Sequence, residues 1–193
     1  MRRAPPTNPV ALPPAPAMEG EYVTLSGTWV LNKHRSDTME GFLRIMGVAE
    51  LAIEAQLKSE ADHETRNVIR LDLHRMIINK RSKINTLTEF YDLFKEKNTP
   101  ARNGTRQTMV ALKDRTRLDG IVVTTTMPTS QGTLHLVESR QLVDRGHAVY
   151  QELQVTNLAT GGSNVTRRYW RRVPVTDEDE ETLLRENLQA PVV

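Results

Sequence analysis

Residues 26–48 read SGTWVLNKHRSDTMEGFLRIMGV, and the hydrophobic period changes within them. The first part belongs to a strand-like run over 22–32 (YVTLSGTWVLN). Ser36 and Asp37 then form a helix N-cap pair, because their short side chains can accept from the first free backbone N–H groups. Met39, Phe42, Leu43 and Met46 follow at helical spacing, which predicts a helix over 38–46. Gly47 is a stop signal. A second helix is predicted over 48–58, with Leu51, Ile53, Ala55 and Leu57 in a mixed pattern. One strand followed at once by two short helices is the entry to the fold.

From residue 67 onward the period moves from 3.6 towards 2. Strands are predicted at 67–75, 76–82, 84–93, 104–113, 115–118, 121–127, 133–142, 147–157 and 165–173. Turn signals such as Asn103-Gly104, Asp119-Gly120 and Gly161-Gly162 separate many of them. So many short antiparallel strands predict a mainly β chain closed into a barrel or stacked as a sandwich.

The 193-residue length fits one domain with extensions. The organisation expected is a Pro-rich extension over 1–20, a β domain over 21–174 and an acidic tail or short helix over 175–193. Six prolines fall in the first 20 residues, which favours an extended tail. In the last segment, Thr176 and Asp179 have capping-box spacing. Leu183, Leu184 and Leu188 would give that helix a small apolar face. The net charge of +2 supplies too little steering for a polyanion partner, so nucleic acid is not expected. The chain has no cysteine, which excludes a disulfide framework and Cys-based metal sites, and fits a reducing, cytoplasmic setting. No apolar run approaches the roughly 20 residues of a membrane-crossing helix. The five histidines show no metal-ligand spacing, and no nucleotide-binding or nucleophile-elbow motif occurs. Neither a cofactor, a metal nor an enzymatic activity is expected.

The last strand-like run, residues 165–172 (VTRRYWRR), holds the chemistry of interest. Arg167 and Tyr169 share one strand face, and Arg168, Trp170 and Arg172 share the other. If the first face turns inward, a cation and a phenol lie inside an apolar barrel. A buried cation is costly unless an anion or water meets it, so a ligand carboxylate would suit it. Trp170 is then expected on the outside, as a possible partner contact.

The order of these elements resembles the intracellular lipid-binding proteins, the fatty-acid-binding and cellular retinoid-binding proteins of the calycin group. Gly27-Thr28-Trp29, the Met39-to-Leu43 helix, the Gly47-Val48 link, Leu118-Asp119-Gly120 and the terminal Arg167-x-Tyr169 carry the resemblance, which spans residues 22–173. It implies a ten-stranded antiparallel β-barrel with a two-helix lid, with residues 1–17 as an added tail. It also implies that Arg140, Arg167 and Tyr169 grip a ligand carboxylate. A planar guanidinium suits that task because it can donate to both oxygens.

Strand parity places Leu134, Leu136, Glu138, Arg140 and Leu142 on one face. Glu138 can therefore pair with Arg140 or Arg167 and fill the anion site itself. Two functions stay open at this point. One is non-catalytic carriage of a fatty acid or similar hydrophobic carboxylate. The other is a structural or accessory subunit with a vestigial cavity, reaching protein partners through its N- and C-terminal extensions.

Overall fold

In a computed structural model, residues 23–179 are described. The Pro-rich extension and the leucines of the acidic segment lie outside them. Ten strands form one antiparallel sheet: β1 (Gly27–Leu31), β2 (Arg66–Leu71), β3 (Arg75–Arg81), β4 (Thr86–Asp92), β5 (Glu96–Ala101), β6 (Gly104–Leu112), β7 (Gly120–Thr129), β8 (Gly132–Val143), β9 (Ala148–Asn157) and β10 (Ser163–Val173). Helices α1 (Glu40–Ile45) and α2 (Glu50–Asp62) lie between β1 and β2, after a 3-10 turn at Lys33–Arg35. Neighbours in the sheet are neighbours in sequence, except that β1 pairs with β10 and joins the two halves. The sheet curls into a barrel left open only between β4 and β5. Side chains bridge that seam: Lys97 Nζ donates to the Phe90 carbonyl at 2.8 Å, and Arg106 meets Glu89 at 3.2 Å.

Two expectations about elements need correction. No strand forms at 115–118, where a turn carries only a bridge between Thr24 and Leu118. The missing tenth strand is β5, whose sequence EKNTPA is polar and carries Pro100. Proline cannot donate to a ladder, and β5 is an edge strand that pairs on one side only, where it is tolerated. Ser36 and Asp37 also do not cap α1, whose first turn has no side-chain cap. They bond instead to the β10 backbone, with Tyr169 N–H donating to Ser36 Oγ at 2.9 Å and Arg167 N–H to Asp37 Oδ2 at 2.8 Å.

Inside, the barrel has three layers. At the base, Leu25, Trp29, Ile69, Ile78, Val110, Ile121 and Trp170 pack as one apolar cluster. Under α1, Phe42 packs with Leu134 and Val155, flanked by Met39, Met46, Met127, Leu136 and Leu153. A belt of polar and charged side chains separates the two. Trp29 is fixed at the base by its indole N–H, which donates to the Leu25 carbonyl at 2.9 Å. Arg172 stacks over the Trp29 ring at 4.2 Å and donates to the carbonyls of Thr24, Ser26 and Gly146. Gly27, at φ +145°, is required beside it, since a Cβ there would lie 2.4 Å from the Arg172 guanidinium. At the far end of β10, Thr176 and Asp179 make the reciprocal bonds of a capping box, at 3.0 and 3.3 Å.

Candidate functional site

The inward face of β10 is set by its partner. Trp29 of β1 lies opposite Arg172, and Leu31 lies opposite Trp170. Directly paired residues share a sheet face, so burying Trp29 turns Arg172, Trp170 and Arg168 inward as well. The Arg168 side chain is 4% exposed, whereas Arg167 is 57% exposed on the outside. Trp170 is buried in the base cluster rather than displayed. The inward pair on β10 is thus Arg168 and Trp170, and the sequence-based face assignment is reversed.

Arg140 is where parity put it, inside, with only 3% of its side chain exposed. It pairs with Gln151 of β9, which pairs in turn with Arg168. Arg140, Gln151 and Arg168 therefore form a row across three strands. Arg167 and Tyr169 do not reach it. They join an outer cluster in which Arg167 meets Glu152 at 3.4 Å, Tyr150 donates to Glu152 at 2.8 Å, and Arg35 stacks on Tyr169 at 4.3 Å.

Above this row is a cavity of about 410 Å³, within the range of small-molecule sites. Its apolar wall includes Met39, Phe42, Met46, Met127, Leu136 and Leu153. Its polar wall carries four cations, Lys80, Arg106, Arg140 and Arg168, and three carboxylates, Glu60, Glu89 and Glu138. One positive charge is left unbalanced. Glu138 accepts from Arg140 Nε and from Gln151 Nε2 at 2.8 Å. Gln151 in turn accepts from the Trp170 indole at 2.7 Å. The Asn67 amide, oriented to accept, takes Arg140 Nη1 at 3.2 Å. Glu89 holds Lys80 at 2.7 Å and Arg106 at 3.2 Å.

Burial raises the Glu138 carboxyl, but the charges of Arg140 and Lys80 and its hydrogen bonds outweigh that and bring it down to about 2. Glu89 is likewise held low: burial opposes, and Lys80, Tyr91 and Arg106 prevail. Both carboxylates are therefore charged at neutral pH. Arg168 is held at one end, where Nη2 meets Glu60 Oε2 of α2 at 2.7 Å. Among the described residues, its buried Nε has no hydrogen-bond partner. An unpaired buried donor is costly, and here it belongs to a cation that lines an apolar-walled cavity.

Sequence reasoning found Arg140 and Glu138 but missed Arg168, Glu60, Lys80, Glu89 and Arg106. The charges at 80 and 89 lie on inward positions of strands whose alternation is legible. Their meaning depends on cross-barrel partners that no local pattern reports. A larger open depression of about 650 Å³ lies elsewhere, beside Arg66, Arg81 and Lys83. Arg66 and Arg81 there already meet Asp179, at 3.1 and 3.3 Å. Among the described residues, no cluster of His, Asp and Glu is arranged to hold a metal ion, and no helix is long and apolar enough to cross a membrane.

No family model matches the chain, and no curated protein matches it. Solved structures do. The REP1-NXSQ fatty acid transporter is similar with a TM-score of 0.59 at 16% identity, over 79% of this chain and 98% of that one. The apo form of Caenorhabditis elegans lipid binding protein 8 matches at 0.59 and 17% identity, over 77% and 94%. A Schistosoma mansoni fatty acid binding protein in complex with arachidonic acid matches at 0.56 and 17% identity, over 80% and 99%. At these identities the likeness is one of fold, a ten-stranded barrel with a two-helix insertion after its first strand.

Proposed function

We propose that the barrel, which shares its fold with the fatty acid transporter and lipid- and fatty-acid-binding proteins it is similar to, carries one hydrophobic monoanion of the fatty-acid class, without catalysis. The observation that carries this reading is an unsatisfied donor: Arg168, paired through Nη2 with Glu60, lines an apolar-walled cavity with a free Nε, in a belt that holds one more positive than negative charge. A ligand carboxylate supplies the missing acceptor. A charge-assisted bond of this kind is roughly twice as strong as a neutral one. The tail then lies among Met39, Phe42, Met127, Leu136 and Leu153. Each buried methylene contributes about 0.8 kcal/mol, close to a fourfold gain in affinity per carbon until the chamber is full. Arg140 supports the head-group end but keeps Glu138 as its primary partner. Placement in the cytoplasm belongs to the same proposal.

The test is displacement of a fluorescent fatty acid by oleate. Wild type should bind, Arg168→Gln should weaken binding at least tenfold, and Arg167→Gln on the outer face should change it less than twofold. Equal loss in both variants, or no loss in Arg168→Gln, overturns the assignment.

One observation favours the second reading, a structural or accessory subunit with a vestigial cavity: Glu138 already occupies Arg140. Under that reading, native mass spectrometry of the purified protein finds no bound lipid and wild type fails to bind oleate.

A further inference from the structure

Helix α2 is tied to the interior by one charged side chain. Glu60, in its last turn, is 15% exposed and reaches inside to Arg168 Nη2 at 2.7 Å. Ile53 is its one buried residue. Leu51 stands 80% exposed. Lys33 Nζ donates to the Ala61 carbonyl, and Glu50 meets Arg44, but both contacts are exposed to solvent and are screened by it. The helix has no side-chain cap at its N-terminus.

We infer that an anionic ligand takes Arg168 from Glu60 and thereby releases the C-terminal half of α2 from the barrel. This rests on the carrier reading above and adds to it a coupling between the charge of the ligand and the state of the lid. Arg168 is a single buried cation with two potential claimants, Glu60 from the lid and a carboxylate in the cavity. A ligand carboxylate that takes the free Nε of Arg168 stands beside Glu60 on the same guanidinium. Contact between the two carboxylates around one guanidinium then raises their mutual repulsion. The ligand is held by its buried tail, whereas Glu60 sits at a helix end from which it can swing into water. Glu60 is therefore the one that leaves. A neutral ligand with the same tail has no claim on Arg168 and leaves the tie intact. The lid thus reports whether the cargo is charged, as well as whether the cavity is full.

The experiment is amide hydrogen exchange of residues 54–62 in the full chain, alone, with saturating oleate and with saturating oleyl alcohol. Oleate should speed exchange in this segment at least tenfold, and oleyl alcohol should change it less than twofold. In Glu60→Gln the segment should exchange fast without ligand, oleate should add nothing further, and oleate should bind several-fold more tightly for lack of a competitor. Oleate that binds wild type while leaving or slowing exchange at 54–62 overturns the coupling and spares the carrier reading. Oleyl alcohol that speeds exchange as much as oleate also overturns it. Failure of oleate to bind either protein overturns the carrier reading itself, and this inference with it. The wild-type arms decide the question even if Glu60→Gln does not fold.

Discussion

Glu138 shows how much one residue contributes when it is both buried and paired. Its carboxyl is held at about 2, against 4.5 for the free group. A folded value below the unfolded one means that the stabilisation is present above about pH 4.5 and is lost as pH falls through that range towards 2. The difference corresponds to roughly 3 kcal/mol. Urea midpoints measured from pH 7 to pH 2 should therefore drop steeply below pH 4.5, and Glu138→Gln should flatten that drop. The same substitution leaves Arg140 buried without its counter-charge, which should cost about 3–5 kcal/mol at pH 7. A pH profile unchanged by the substitution would show that other carboxylates govern the acid limb. Gly27 gives a steric counterpart. An alanine there must adopt φ near +145° and displace the Arg172 guanidinium from Trp29. Thermal unfolding of Gly27→Ala should reveal a loss of about 1–3 kcal/mol from backbone strain alone. The face of Arg140 was legible in the sequence from strand parity. Arg168 was not, because VTRRYWRR carries apolar groups on both faces, Val165 and Tyr169 on one and Trp170 on the other. Alternation decides nothing there, and the pairing of Trp29 with Arg172 decides everything.

At the scale of elements, the passage from β1 to α1 was legible in kind and not in detail. Ser36 and Asp37 have the chemistry of caps, and they do cap, but what they satisfy is the strand β10. Ser36 Oγ accepts from Tyr169 N–H and donates to the Asn32 carbonyl at 2.7 Å. Asp37 exchanges two bonds with Arg167, through its own N–H and through its carboxylate, each at 2.8 Å. The chain is thus stitched to β10 before the helix begins. Sequence alone gives the donors and acceptors but not which orphan groups lie nearby. Asp37→Ala removes a charged acceptor from a strand N–H and should cost about 1–2 kcal/mol in urea unfolding. It should also speed exchange at the Arg167 amide, while Ser36→Ala does the same at Tyr169. No change at those amides would place the cap elsewhere. Strand β5 was hidden for a different reason. An edge strand with one partner can be polar on both faces, so it carries no alternation to read.

Across the whole molecule, stability is held by ties between distant parts of the chain, and two of these lie on opposite faces of the sheet. Glu138 works inside. Asp179 works outside, where its carboxylate accepts from Thr28 of β1 at 3.3 Å, Arg66 of β2 at 3.1 Å and Arg81 of β3 at 3.3 Å. The segment after β10 is thereby fastened across three strands near the point where β1 closes the barrel. Burial works against the Asp179 charge, but the Thr176 N–H, Arg66 and Arg81 hold its carboxyl below the ordinary value of 3.8. Its contribution is therefore also present at neutral pH and lost in acid. Asp179→Ala should lower stability by about 1–3 kcal/mol. In a chain of this size, that appears as a fall of roughly 2–4 °C in Tm per kcal/mol. Glu138 and Asp179 share no hydrogen-bond partner, so the double variant Glu138→Gln, Asp179→Ala should lose the sum of the single losses to within about 0.5 kcal/mol. Calorimetry of the four proteins checks this. A deficit well beyond that margin would mean that the interior belt and the outer fastening communicate through β2 and β3, whose residues Asn67 and Arg66, and Lys80 and Arg81, are consecutive and face opposite sides of the same two strands.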